Sequence, residues 1–87
     1  MSEIIHQFAE NVVDPGGRSY VVRVLGNPLA DGHWEGVISF TGPDGEVRTT
    51  SRETLQADRD DLTYWASGLE QIYLEGALGR ARSGAAS

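Results

Sequence analysis

Apolar and polar residues alternate along the first two-thirds of the chain with a period of two, the pattern of β-strands. In residues 20–25 one face carries Tyr20, Val22 and Val24, and the other carries Val21, Arg23 and Leu25. In residues 34–41 the apolar face carries Trp34, Gly36, Ile38 and Phe40. We therefore expect antiparallel strands with one buried face and one solvated face.

Further strand segments flank these two. Residues 4–13 form a poorly alternating candidate strand, and residues 26–32 are predicted to form a loop. Residues 42–45, Gly-Pro-Asp-Gly, are a strong turn signal, which makes residues 46–50 a hairpin partner. Residues 53–56 either continue the sheet or lead into a helix.

Residues 58–82 change to a period of three to four, which predicts a helix with one face on the sheet. That face carries Leu62, Trp65, Ala66, Leu69, Ile72, Tyr73, Gly76 and Ala77. Asp58 is the expected N-cap. An unbroken helix would be about 37 Å long, so it either overhangs the sheet, kinks or breaks near Gly68. Ser67 and Glu70 have the spacing of a capping box at this point.

These patterns predict one α+β domain over residues 1–82, an antiparallel meander of three to four strands followed by a C-terminal helix on one face. Residues 83–87 are small and polar, which predicts a disordered tail. The core is expected to join two sets of side chains, namely Trp34, Ile38 and Phe40 from the sheet and Leu62, Trp65, Leu69 and Tyr73 from the helix.

Composition narrows the class of protein. The 87 residues are 39% hydrophobic, carry a net charge of −6 and include no cysteine, which excludes disulfides and thiolate chemistry. All seven basic residues are arginine, which suggests a GC-rich bacterial genome. The acidic balance argues against nucleic acid or an anionic membrane as partner and suits a basic one. Without a signal-peptide pattern or a long apolar run, the cytoplasm is the expected location.

Candidate chemistry is sparse. His6 and His33 lie in different segments, and Asp31 alone stands near His33, so no metal site is predicted. No nucleophile elbow or phosphate-binding glycine motif occurs, and the acids of residues 58–61 are explained by helix capping. Paired-carboxylate catalysis stays open among thirteen acids. We therefore assign no catalytic, metal-binding or cofactor-binding residue and expect no cofactor.

The segment YWASGLEQIYLEGAL, residues 64–78, resembles a family of small bacterial proteins of unknown function. The segment DGHWEGVISF, residues 31–40, adds to the likeness, which covers roughly residues 20–82. The resemblance implies a stand-alone bacterial domain and implies no substrate or site residue.

Leu74, Leu78 and Ala81 draw a second apolar stripe on the helix, which is either buried or an interface. We predict a non-enzymatic protein-interaction module that binds a partner helix or forms a homodimer through residues 72–82. In the competing interpretation the sheet or an N-terminal strand, such as Ile4–Phe8, covers the stripe within a monomer. Two other functions stay open: a small-ligand-binding or enzymatic domain with a site near the loop from Asn27 to His33, and an acidic inhibitor that mimics nucleic acid.

Overall fold

Residues 2–83, the part of the chain that the computed structural model describes, form an antiparallel sheet with two helices on one face. The elements are β1 (Glu3–Gln7), β2 (Val12–Val13), β3 (Ser19–Pro28), β4 (Trp34–Thr41), β5 (Val47–Thr49), β6 (Thr54–Gln56), α1 (Arg59–Ser67), α2 (Gln71–Arg80) and β7 (Arg82–Ser83). The predicted α+β class is confirmed. Among the described residues the sheet has seven strands rather than three to four, because several are only two or three residues long.

The long hairpin of β3 and β4 is the centre of the sheet. Their ladder runs from the pair Val21 and Thr41 to the pair Pro28 and Trp34, so β3 extends into the segment predicted as a loop. Strands β1 and β2 both pair with β3, and the predicted strand over residues 4–13 is therefore two strands. Strands β5 and β6 both pair with β4, which shows that residues 53–56 continue the sheet, and β7 pairs with β5.

The core lies between the helices and the sheet face predicted to be buried. Its fully enclosed or nearly enclosed side chains are Val12, Tyr20, Val22, Val24, Ile38, Phe40, Leu62, Ala66, Leu74, Ala77 and Leu78. The predicted inward faces of β3 and β4 are thus confirmed. The predicted helix face is wrong in part of its second half, since Ile72 is 77% exposed and Tyr73 is 36% exposed, whereas Ala77 is buried as predicted. The break between the helices rotates α2, so that Leu74 and Leu78 join Ala77 in the core.

Two glycines on the inward face let α1 approach the sheet closely. A Cβ on Gly26 would lie 2.7 Å from Cδ2 of Leu62, and a Cβ on Gly36 would lie 2.8 Å from Cδ1 of the same leucine. Real Cβ atoms do not approach other heavy atoms this closely. The two missing side chains therefore make the space that Leu62 fills.

The predicted helix termini are confirmed in part. Asp58 caps α1, because its carboxylate accepts a hydrogen bond of 2.8 Å from the backbone N–H of Asp61. The chain breaks at Gly68, one of the three outcomes expected. The predicted capping box is wrong, since Ser67 donates its hydroxyl to the Tyr64 carbonyl and Glu70 begins α2 without a side-chain cap.

The C-terminal boundary also differs from the prediction. Ser83 pairs with Arg48 in the ladder between β5 and β7, so it does not belong to a disordered tail. Residues 84–87, the rest of that predicted tail, lie outside the described residues.

Candidate functional site

The sheet face opposite the helices is an unoccupied surface, which we name the open face. Both helices pack on the inward side, and no segment of residues 2–83 lies across the outward side. The register of the ladders places on the open face Ile4, Gln7, Val21, Arg23, Leu25, Glu35, Val37, Ser39, Thr41, Val47, Thr49, Leu55 and Arg82. Arg52 joins them through an ion pair of 3.0 Å with Glu35.

Much of the open face is apolar. Ile4, Leu25 and Val37 form one row across β1, β3 and β4. Ile4 is 59% exposed, and Leu55, which lies opposite Glu35 in the neighbouring row, is 46% exposed. A second row contains Val21 and Val47, which flank Thr41. A concentration of apolar side chains on a surface is typical of an interaction site.

The charges of the open face differ in sign from those of the whole chain. The face carries three arginines, Arg23, Arg52 and Arg82, and one glutamate, Glu35, a formal charge of +2. Since the net charge is −6, the helices, turns and rims carry −8. The open face is therefore positively charged, and the rest of the molecule is negatively charged.

The strongest polar cluster on the helix side is centred on Glu53, just before β6. Its carboxylate is 9% exposed and accepts hydrogen bonds of 2.6 Å from the Tyr73 hydroxyl and 2.6 Å from Nη2 of Arg80. The Arg80 guanidinium also lies over the Tyr73 ring, and that ring meets Trp65 edge-on. Because the Glu53 amide is bonded to Gly36, the cluster fastens α2 to the sheet.

The environment shifts the pKa values of this cluster. Burial raises the pKa of the Glu53 carboxyl, but the hydrogen bonds from Arg80 and Tyr73 together outweigh burial and bring it below its usual 4.5. Burial, and then the bond to Glu53, raise the pKa of Tyr73 above 10. A carboxylate held ionised and a phenol held neutral form a structural clamp rather than an acid–base pair, since each is stabilised in its resting form.

A second polar cluster joins two hairpin turns through Arg18. Its guanidinium binds the carboxylates of Asp44 and Glu46, while its backbone N–H donates to Asp14. That backbone bond lowers the pKa of Asp14, and the bond from the Arg18 side chain lowers the pKa of Asp44. The Tyr20 hydroxyl lies 3.3 Å from Asp14. The cluster is explained by turn stabilisation.

A groove of about 490 Å³ lies beside the end of α2. Its lining residues are Val13, Asp14, Pro15, Arg48, Glu75, Leu78 and Gly79. The one lining cation, Arg48, already pairs with Glu46 at 3.6 Å and lies over the Tyr20 ring. The groove therefore offers a ligand an apolar floor without a free cation among its lining residues.

The predicted interface residues do not form a surface stripe. Leu74 is 2% exposed and Leu78 is 5% exposed, and both belong to the core of a single chain, while Ala81 is partly buried against it. Strand β2 packs on α2, and Val12 is buried in the same core. The expectation that these leucines are accessible is therefore wrong. An N-terminal strand covers them, as in the competing interpretation, but it is β2 with Val12 rather than the suggested Ile4–Phe8.

The loop from Asn27 to His33 does not assemble a site with the neighbouring elements. Asp31 and His33 pair at 3.2 Å, both side chains are largely exposed, and the Asp31 pKa is lowered first by the backbone N–H of His33. Gly32 closes the turn with a φ of 92°. Within residues 2–83 no group of three or more metal-ligating side chains occurs.

Comparison with known proteins gave no match for this chain among family models, curated proteins or solved structures. The resemblance to small bacterial proteins therefore stays a prediction. Neither helix of residues 2–83 has the length and apolar character needed to cross a membrane.

Sequence reasoning missed the open face, although its signal is present. Of the three outward residues Val21, Arg23 and Leu25, two are apolar, and Val37 repeats this on the next strand. A solvated face is usually more polar than this.

Proposed function

We propose that this chain is a cytoplasmic, non-enzymatic protein-interaction module that binds its partner with the open face. The observation that carries the proposal is a sheet face with six apolar side chains that neither helix covers. Buried apolar area is the main source of binding free energy, and such a face supplies it without any rearrangement.

Three features support a role in binding rather than catalysis. The charged groups of the two polar clusters with shifted pKa values, around Glu53 and Arg18, pair within the fold, although Nε of Arg18 is buried without a hydrogen-bond partner. The Asp31–His33 pair has no third group beside it among the described metal-ligating residues. The groove next to α2 has one lining cation, Arg48, which already pairs with Glu46, so it offers an anionic small ligand no unpaired partner among its lining residues.

The acidic-mimic alternative is less well supported. A mimic of nucleic acid needs a row of free carboxylates, but Glu3, Glu35, Asp44, Glu46 and Glu53 all pair with arginines. These pairs lie in different parts of the molecule, and among the remaining acids Asp58, Asp60 and Asp61 are accounted for by the N-terminus of α1.

The proposal is tested by capture of partners from a lysate of the native host, with mass spectrometry as the readout. The variant Ile4→Ser with Leu55→Ser removes exposed apolar side chains from the open face. The matched control, Tyr64→Ser with Ile72→Ser, removes similarly exposed side chains from the helix side, where they are 83% and 77% exposed.

We expect wild type and the control to retain the same stoichiometric protein and the open-face variant to lose it. Circular dichroism must show that both variants are folded. Equal retention by all three, or no retained protein together with a metabolite that raises the melting temperature of wild type, contradicts the proposal.

A further inference from the structure

We propose that the open face binds an acidic segment of a partner protein, one that presents apolar side chains beside its carboxylates. This inference rests on the proposed function and adds the chemistry of the partner. The juxtaposition that carries it is two arginines, Arg23 and Arg82, that have no carboxylate partner within residues 2–83 and lie in one row flanked by apolar rows.

The arginines of the chain divide into two groups. Five of them form ion pairs with aspartate or glutamate side chains, namely Arg18, Arg48, Arg52, Arg59 and Arg80. Arg23 and Arg82 make no ion pair with any side chain of residues 2–83, although acids outnumber bases thirteen to seven. Both lie on the open face. Within residues 2–83 every other arginine is paired with a carboxylate, so the guanidiniums of these two are available to bind a ligand.

The two guanidiniums belong to one row. Arg23 lies opposite Ser39, which lies opposite Thr49, which lies opposite Arg82. Three strand spacings separate the ends of the row, about 14 Å at roughly 4.8 Å each. At its outer end Arg23 donates from Nε to Oε1 of Gln7 at 2.9 Å, a neutral partner that fixes the side chain and leaves its charge uncompensated.

Apolar rows flank this charged row on both sides. Leu25 and Val37 lie on one side, and Val21 and Val47 lie on the other. A segment laid across the face therefore meets apolar side chains for affinity and two cations for orientation. Carboxylates are the groups that guanidiniums bind best in proteins.

Charge also selects among the possible occupants. Two copies meeting through their open faces would place +2 against +2, which disfavours a two-fold dimer. A contact between the open face of one copy and the acidic side of another satisfies the charges but is heterologous, and would form rings or open chains of this protein. Long polyanions would encounter the −8 carried by the rest of the molecule. A short acidic protein segment avoids each of these costs.

The test is selection from a displayed library of random 12-residue peptides on the full chain. We expect the enriched peptides to combine aspartate or glutamate with apolar residues and to shift the amide resonances of Leu25 and Val37. Arg23→Gln with Arg82→Gln should weaken the selected peptides about five- to tenfold at low salt. The control Arg59→Gln, whose arginine pairs with Glu3 on the helix side, should leave their affinity unchanged within about twofold.

The outcomes separate the two proposals. Neutral or basic peptides that shift the open face, or acidic ones that bind the double variant equally well, overturn the acidic partner and keep the interaction module. Peptides that map to the helix side, or no enrichment, overturn both. Concentration-dependent assembly that Arg23→Gln with Arg82→Gln abolishes, or tighter binding to a 20-base-pair DNA duplex than to the peptides, overturns the acidic segment as the occupant.

Discussion

Replacement of Glu53 by glutamine tests whether its carboxylate fastens α2 to the sheet. Glutamine keeps the shape of the side chain and removes its charge. The Tyr73 hydroxyl then loses a charged acceptor, a change of about 1–1.5 kcal/mol. Loss of the Arg80 ion pair adds only about 0.5 kcal/mol to this cost, because the Arg80 side chain is half exposed and solvent screens the pair. We expect Glu53→Gln to lower the free energy of unfolding by about 1–2 kcal/mol at pH 7.

The loss should depend on pH in a defined direction. The folded-state pKa of Glu53 lies below its unfolded value of 4.5, so the carboxylate stabilises the fold above that pH. This stabilisation disappears as pH falls through the folded pKa. The difference in unfolding free energy between wild type and Glu53→Gln should therefore be constant near neutral pH and shrink below about pH 4.5.

Urea denaturation followed by circular dichroism, at pH 7 and at steps down to about pH 3.5, measures both effects. Glu75→Gln is the matched control, since Glu75 is an exposed acid on α2, the helix that Glu53 contacts. It should change the free energy of unfolding by less than about 0.5 kcal/mol. Tyr73→Phe should cost about 1 kcal/mol, and combined with Glu53→Gln it should cost less than the sum. Equal stability of wild type and Glu53→Gln at pH 7, with parallel pH profiles, refutes the clamp.

Three further substitutions test the fold. Gly36→Ala should destabilise by about 1–3 kcal/mol in urea denaturation, because its Cβ collides with Leu62; an unchanged midpoint contradicts the close approach. Asp58→Ala should cost about 1 kcal/mol through loss of the α1 cap, measured by thermal denaturation, and Asp58→Asn should restore most of it. Leu78→Ala should cost about 2–5 kcal/mol without changing the mass measured by light scattering; a mass change at constant stability would return Leu78 to an interface.

Local structure could be predicted from the sequence wherever a few neighbouring residues determine it. The bounds of β4, the turn at residues 42–45 and the Asp58 cap depend on alternation, on a glycine at a φ of 87° and on a carboxylate beside free N–H groups. Each of these is a property of a few adjacent residues. The inward faces of β3 and β4 follow from the same period of two.

The packing of α2 could not be predicted in this way. A helical wheel assumes one continuous phase, whereas the break at Gly68 gives α2 its own rotation and changes the buried residue from Ile72 to Leu74. The segment with Val12 that covers α2 comes from more than sixty positions earlier, and no local pattern identifies it. The break was expected, but its angle depends on tertiary contacts.

The open face escaped prediction for a different reason. Its apolar residues, such as Leu25 and Val37, are the types that also line a core, and alternation cannot tell which side of a sheet a second layer covers. Gly26 and Gly36, which make space for Leu62, could have indicated the covered side, since they lie on the side that α1 approaches. Small residues in register on paired strands indicate a close neighbour, and the opposite side is then the candidate for an open surface.

The difference between net charge and local charge decides which partner to expect. A net charge of −6 suits a basic partner if the charge is evenly spread. In this fold the antiparallel register gathers Arg23 and Arg82 onto one side, while the acids lie mainly on the helices and turns. Because exposed charges are screened beyond about 8–10 Å in physiological salt, a docking segment experiences mainly the face that it touches. A large polyanion extends beyond that face and meets the acidic remainder of the molecule at close range, whereas a short acidic segment does not, which makes the short segment the favoured ligand.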